Sequence, residues 1–97
     1  MRSKANARFT DTKTGRLGQA VRARRKLLRL DQAELATLAG VGLAFLYELE
    51  HGKPTMRIDK LLAVLEVLGL ELSLREGKQG LSVAPELEPN ATPGATQ

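Results

Sequence analysis

The sequence predicts an all-α protein, a bundle of four to five short helices followed by one short strand. Three observations indicate this class. Apolar residues recur at helical spacing in successive segments between residues 17 and 68. Glycines or helix-capping residues stand at the boundaries of these segments. Strict apolar–polar alternation, which is typical of a strand, occurs only at residues 70–75.

Length and composition exclude several classes of protein. The 97 residues allow one small domain plus tails. A chain this short buries only a small hydrophobic core, and association with a second copy of the chain would stabilise it. With no Cys and a single His, His51, the chain is expected to hold no disulfide, metal or cofactor. No phosphate loop or carboxylate constellation indicates an enzyme. No apolar run approaches the length of about 18 residues that indicates a membrane span. There is no secretory signal, so we expect a cytoplasmic protein without a membrane partner.

The charge is concentrated at the start of the chain. Residues 1–31 hold ten Lys and Arg against two acids, although the net charge of the whole chain is only +4. This concentration of positive charge at the start of the chain favours an anionic partner, above all nucleic acid. The alternative is that these residues form an ordinary solvated helix face. Three aromatic residues are too few for a platform that stacks single-stranded bases. Residues 1–13 are expected to be a flexible basic arm that either follows a DNA groove or is simply disordered.

The first helix is predicted to begin at Thr14, as its N-cap, and to end near Arg29. An apolar stripe on a basic helix is compatible with a membrane surface or with a core, and the three apolar helices that follow favour the core. The stripe consists of Leu17, Ala20, Val21, Arg24 and Leu28.

Residues 32–52 are predicted to form two short helices that cross at a steep angle. Asp31 and Glu34 have the spacing of a capping box at the start of the first of them. Gly40 is suited to end this helix, and Gly42 is placed to cap the next. This is the spacing of a helix-turn-helix, although an ordinary corner between two helices has the same spacing. The residues expected to face the core are Leu35, Ala36, Leu38 and Ala39 in the first of these helices and Leu46 and Leu49 in the second.

A further helix is predicted to begin at Thr55 or a neighbour and to stop at Gly69. Its apolar stripe is Ile58, Leu61, Leu62, Leu65 and Leu68.

The alternating segment 70–75 is either a frayed tail or a strand that pairs with a second copy. Its members are Leu70, Glu71, Leu72, Ser73, Leu74 and Arg75. Across a two-fold axis at Ser73, Glu71 of one chain would oppose Arg75 of the other. The domain thus spans residues 14–75. Residues 76–97 are expected to be a disordered tail, either inert or carrying a short docking motif.

Once these residues are placed, the chain resembles the phage-repressor (Cro or XRE) helix-turn-helix family over about residues 17–69. The matching pieces, in order, are Arg25, LDQAELA at 30–36, Gly40-Val41, Glu50-x-Gly52-Lys53 and Leu68-Gly69. The alternating strand and the string GKPTMRIDKLLAVLEVLGLEL resemble, more narrowly, the HipB-like antitoxins, in which two copies pair through a short terminal strand. The resemblance implies a lambda-repressor-like bundle.

The resemblance also implies roles for individual residues. Family members link an arginine on helix one to the glutamate that ends helix three, here Arg25 and Glu50, in an ion pair that fixes orientation more than stability. The family's glutamine at the start of helix two binds a DNA phosphate, and here it is Gln32. Lys53 matches the loop that touches the other strand's backbone. Further phosphate contacts are expected from Arg22 and Arg29.

The groove-facing positions of the family fall on Gly42, Leu43, Ala44, Tyr47 and Glu48. Family members often carry polar side chains at the first three, each contributing roughly 1–3 kcal/mol of base discrimination. Leu43 and Ala44 offer only packing on thymine methyls, whereas Tyr47 can donate to a phosphate or a base. Glu48 is tolerated next to the DNA phosphates only if its carboxylate accepts a hydrogen bond from a cytosine amine or pairs with a basic residue. We therefore expect few direct hydrogen bonds to bases, and we expect DNA shape to contribute more of the sequence specificity. The alternative is that this apolar edge of the helix binds a protein.

Two functions follow from these observations. The first is a dimeric, sequence-specific transcriptional repressor on a palindromic operator in double-stranded DNA, with recognition helices about 34 Å apart. The second, implied by the HipB-like resemblance and compatible with the first, is an autoregulating antitoxin that restrains a HipA-like kinase toxin. The alternatives are a stand-alone XRE-type regulator with no toxin partner and a protein-binding scaffold. A protein of this kind would be nucleoid-associated when bound to DNA.

Overall fold

The computed structural model describes residues 12–88, which form four α-helices and one short 3-10 helix. The α-helices are α1 (Lys13–Leu27), α2 (Gln32–Ala39), α3 (Leu43–Glu50) and α4 (Ile58–Val67), and the 3-10 helix spans Pro85–Leu87. The predicted all-helical class is confirmed. The expected basic arm lies outside the described residues as far as residue 11. No described helix has both the length and the apolar character needed to cross a membrane.

The hydrophobic core lies where the four helices meet. α1 packs on α3, and α2 packs on both α3 and α4. The largest fully buried side chains are Leu35, Leu46, Leu49, Leu68, Val21 and Val64. Four positions that spacing assigned to the core, Leu28, Leu38, Ile58 and Leu62, are instead 42%, 62%, 60% and 44% exposed. Leu38 lies one residue before the end of α2. Leu28 lies just beyond the end of α1, while Ile58 and Leu62 share a face of α4 one turn apart that stays open to solvent.

α1 begins at a different cap from the one predicted. Thr12, not Thr14, is the N-cap, and its hydroxyl oxygen accepts a hydrogen bond from the backbone N–H of Gly15 over 3.0 Å. The hydroxyl of Thr14 instead donates to the carbonyl oxygen of Gly52 over 3.1 Å. Thr14 therefore ties the first turn of α1 to the turn that follows α3.

The end of α1 is closed by a residue in the left-handed region. The helix ends at Leu27, and Arg29 has a φ of 62°. The N–H groups of Arg29 and Leu30 donate to the carbonyls of Lys26 and Arg25, over 3.0 and 3.1 Å. This is the Schellman pattern of a helix C-terminus, with an arginine where glycine is usual.

α1 approaches the backbone of α3 at Gly18. A Cβ atom at this position would lie 2.9 Å from the carbonyl oxygen of Glu50 and closer still to that of Leu49. Both atoms belong to backbone that cannot rotate away. Gly18 therefore permits the close contact that sets α1 against the last turn of α3.

The helix-turn-helix has the boundaries that the sequence predicts. Both halves of the capping box are formed: Asp31 Oδ1 accepts from the N–H of Glu34 over 2.7 Å, and Glu34 Oε1 accepts from the N–H of Asp31 over 2.8 Å. Gly40 ends α2 with a φ of 71°. Gly42 precedes α3 as its N-cap without a side-chain hydrogen bond.

The predicted strand at residues 70–75 is not formed, and within residues 12–88 the chain has no strand at all. Leu70 packs against the core, whereas Leu72 and Leu74 are 44% and 98% exposed. The physical reason is that a lone strand has no partner within the chain for its N–H and C=O groups.

Residues 76–88 are the described part of the segment that was predicted to be a disordered tail. Residues 76–88 lead to the 3-10 helix Pro85–Leu87, which contacts α1. Leu81, Val83 and Leu87 are half-buried. These scattered apolar residues lack helical or strand periodicity, so the sequence alone does not indicate that the 3-10 helix contacts α1. The remaining part of the predicted tail, 89–97, lies outside the described residues.

Candidate nucleic-acid interface

One face of α3 is buried and the opposite face is open. Leu46, Leu49 and Glu50 are buried. The open face and its N-cap hold all five positions expected to face a DNA groove, and all five are exposed. They are Gly42, Leu43, Ala44, Tyr47 and Glu48. The helix therefore presents these residues together on a convex surface of the size that a major groove admits.

Two side chains on the C-terminal half of this face are stacked. The rings of Tyr47 and His51 lie 3.9 Å apart, centroid to centroid, and are inclined by 28°. Nδ1 of His51 lies 2.8 Å from the carbonyl oxygen of Tyr47. The stack limits the freedom of the Tyr47 ring, whose side chain keeps half of its surface open.

A buried ion pair joins α1 to α3. Nε of Arg25 donates to Oε2 of Glu50 over 2.7 Å, and Nη2 donates to Oε1 over 3.0 Å, so the guanidinium grips both carboxylate oxygens. Nη1 of Arg25 also donates to the carbonyl oxygen of Leu30 over 2.9 Å. The side chains are 9% and 0% exposed. Hydrogen bonding to Glu50 raises the pKa of Arg25 although burial lowers it.

Gln32, at the first turn of α2, completes this network. Its Nε2 donates to Oε1 of Glu50 over 3.0 Å. A side-chain amide has two N–H donors, and this hydrogen bond uses one of them. The three elements that would bear on DNA, α1, α2 and α3, are thereby joined at Glu50. Among the described residues, no buried side-chain nitrogen or oxygen lacks a hydrogen-bond partner.

Basic side chains flank α3 on its α1 side. An open cleft between α1 and α3 is lined by Arg22 and Lys26, one helical turn apart, together with Gln32 and Lys53. Arg29, also expected to meet a phosphate, is exposed in the turn after α1 and does not line this cleft. Lys26 was not among the predicted site residues, although its i, i+4 spacing from Arg22 is a signal for it.

A second basic surface flanks α3 on the other side. Between α3 and the start of α4, Lys53, Arg57 and Lys60 line a groove. The ammonium of Lys60 lies 5.8 Å from the ring centroid of Phe45, at cation–π distance. Nη2 of Arg57 donates to Oδ2 of Asp59 over 2.6 Å, and hydrogen bonding to Arg57 lowers the pKa of Asp59. Sequence reasoning missed Arg57 and Lys60 because the loop that brings them beside α3 has no periodic pattern.

The described residues contain no group of three or more His, Cys, Asp or Glu side chains that would hold a metal ion. The side chains around the exposed face of α3 include the basic residues Arg22, Lys26, Lys53, Arg57 and Lys60. Such a surface is suited to a polyanion that encloses the helix, as the two phosphate backbones beside a major groove do.

Comparison with known proteins agrees with this geometry. Residues 21–75 match the family described as helix-turn-helix, a segment that contains α2, α3 and α4 whole and residues 21–27 of α1. An uncharacterized HTH-type transcriptional regulator of Sinorhizobium fredii, y4mF, is 50% identical over 58 residues. The aligned residues are 60% of this chain and 76% of that protein.

Proposed function

Because the chain belongs to the XRE-type helix-turn-helix family, we propose that it is a dimeric transcriptional repressor that reads a palindromic operator in double-stranded DNA with α3. The observation that carries the proposal is the exposed convex face of α3, with basic residues on both sides. Phosphate contacts from these residues position the helix, and contacts to base edges select the sequence.

The apolar edge of α3 indicates how the sequence is selected. Leu43 is 52% exposed and, like Ala44, carries no hydrogen-bonding side-chain atom. Contacts to thymine methyl groups, with DNA shape and deformability, therefore account for more of the specificity than bidentate hydrogen bonds do.

The dimer is supported by apolar surface that the single chain leaves open. Leu72 and Leu74 project into solvent at alternate positions, and Ile58 and Leu62 are exposed on α4. Exposed leucines in a set are typical of an association surface. Pairing of residues 70–75 with a second copy would supply the hydrogen bonds between strands that a single chain lacks. It would also place Glu71 opposite Arg75 of that copy.

The finer part of the proposal is that the chain is the autoregulating antitoxin of a HipA-type kinase toxin. The support is the resemblance of residues 52–72 to HipB-like antitoxins. The test is the neighbouring gene: if it encodes such a kinase, co-expression with this chain relieves the growth arrest that the kinase causes. A neighbourhood without a kinase would favour a stand-alone regulator.

The DNA-binding proposal is tested by fluorescence anisotropy with a duplex from the region upstream of the gene. We expect submicromolar affinity that weakens steeply with salt, by a slope of about 0.9 per phosphate contacted. Arg22→Gln is expected to weaken binding and reduce this slope. Lys78→Gln, a change of the same charge outside both basic surfaces, is the control and is expected to leave the slope unchanged. Absence of tight binding to any duplex at low salt would exclude the repressor and leave the protein scaffold.

The dimer is tested by sedimentation. Leu72→Pro removes a backbone N–H that a paired strand needs and is expected to give monomer. Leu72→Val, which retains strand propensity, is the control and is expected to stay dimeric. If the proline variant remains dimeric, the strand is not the interface.

A further inference from the structure

Glu48 is the one charged residue among the exposed positions of α3, and it is paired within the chain. Its Oε1 lies 3.2 Å from Nζ of Lys53, and the two side chains are 49% and 48% exposed. Both residues line the cleft beside α1 and also the groove beside α4. The ion pair therefore stands at the border between the two basic surfaces that flank the recognition face.

The backbone places Lys53 beside Glu48. After α3, the N–H of Gly52 donates to the carbonyl of Leu49 over 3.1 Å, and the N–H of Lys53 donates to the carbonyl of Glu48 over 3.0 Å. Gly52 has a φ of 81°, as the Schellman motif requires. This turn fixes the starting points of both side chains, so the pair is built into the end of the recognition helix.

The pair is weak enough to open. An exposed ion pair contributes about 0–1 kcal/mol, because water solvates both ions and holding the side chains costs entropy. A DNA phosphate competes well for Lys53, since the contact also releases a counterion. Opening the pair, however, leaves the carboxylate of Glu48 unpaired in the field of the phosphates. It is then tolerated only where a base donates a hydrogen bond to it, as the N4 amino group of cytosine does in the major groove.

We propose that the Glu48–Lys53 ion pair acts as a base-dependent switch for phosphate binding. Where a cytosine amine meets Glu48, the pair opens and Lys53 neutralises a phosphate. On other sequences the pair stays closed, and Lys53 makes no phosphate contact. The pair thereby lowers the affinity for unrelated DNA and makes Glu48 a determinant of specificity. This inference rests on the proposed function, because it requires that α3 lie in a major groove.

The experiment measures the affinity and salt slope of the full chain on the upstream duplex and on an unrelated duplex of equal length. Glu48→Gln releases Lys53 without changing the size of the side chain. We expect its affinity for the unrelated duplex to rise about 3–10-fold, with a salt slope steeper by about one unit, as one extra phosphate contact requires. The preference for the upstream duplex falls accordingly. Glu48→Ala is the second variant, since it removes any hydrogen bond from the new amide to a base.

Glu66→Gln is the matched control. It removes the same charge from an exposed position of α4 that lines neither basic surface, so less than about a twofold change in affinity is expected. Lys53→Gln completes a double-mutant cycle. In the Glu48→Gln background it is expected to abolish the gain on unrelated DNA, which shows that the gain passes through Lys53.

The outcomes separate the two proposals. If the wild-type chain binds DNA but Glu48→Gln and Glu66→Gln raise affinity equally, the effect is one of net charge and the switch is wrong while the DNA-binding function stands. A gain that persists without Lys53 also overturns the switch. If the wild-type chain binds no duplex at low salt, the proposed function fails, and the switch fails with it.

Discussion

Gly18→Ala tests the contact that sets α1 against α3. In an open helix this change stabilises by about 1 kcal/mol, because alanine loses less backbone entropy than glycine. Here the new Cβ would lie 2.9 Å from the carbonyl oxygen of Glu50 and 3.0 Å from its carbonyl carbon. These atoms are backbone, so the relief must come from moving one helix away from the other.

The expected result is a net loss of stability. Overpacking a well-packed contact costs typically about 1–3 kcal/mol, and backbone against backbone belongs at the upper end of that range. After the gain in helix propensity is subtracted, we expect a loss of about 2 kcal/mol in the free energy of unfolding. For a domain of this size that lowers Tm by about 8–16 °C.

The assay is urea and thermal unfolding followed by helical circular dichroism at one protein concentration, because the Tm of the proposed dimer would depend on concentration. Gly77→Ala is the control. Gly77 lies in an exposed segment where a Cβ would meet nothing within 4 Å, so this variant is expected to be neutral or slightly more stable. A Gly18→Ala protein that melts at or above the wild-type temperature would refute the close approach of α1 to α3.

Three further predictions concern the same domain and are measured by urea unfolding. Asp31→Ala removes the side-chain acceptor of the capping box and is expected to cost about 1 kcal/mol; no loss would mean that the cap is not formed in solution. Arg29→Gly relieves a left-handed residue and is expected to stabilise by about 1 kcal/mol, whereas a loss would mean that the arginine side chain contributes more than the strain costs. Glu50→Gln leaves Arg25 buried without its counterion and is expected to cost about 3–5 kcal/mol, while replacing Arg25 and Glu50 together by Met and Leu costs less than the single change. Equal losses for the single and double variants would contradict the reading of a buried, mutually dependent pair.

Local signals predicted the helices that carry the interface. Asp31, Glu34 and Gly40 act through atoms within a few residues of themselves, so their pattern in the sequence translates directly into a cap and a turn. The exposed face of α3 was predictable for the same reason, because helical periodicity separates Leu46 and Leu49 from Leu43 and Tyr47.

Contacts between distant segments were less accessible to sequence reasoning. Thr12 and Thr14 are equivalent as capping residues, and only the position of Gly52 shows that Thr14 has another partner. The commitment of Gln32 to Glu50 and the position of Lys60 beside Phe45 depend on how the helices cross.

The sequence by itself determined an all-helical domain with a helix-turn-helix at residues 32–52, because capping, glycine turns and apolar periodicity act locally. The tertiary structure decided which surfaces flank α3 and how closely Gly18 lets α1 approach it. It decided that Lys53 forms an ion pair with Glu48. It also decided that residues 70–75 form no strand within one chain. These features depend on distances between elements, which a linear pattern does not contain, and a strand needs a partner that a single chain does not supply.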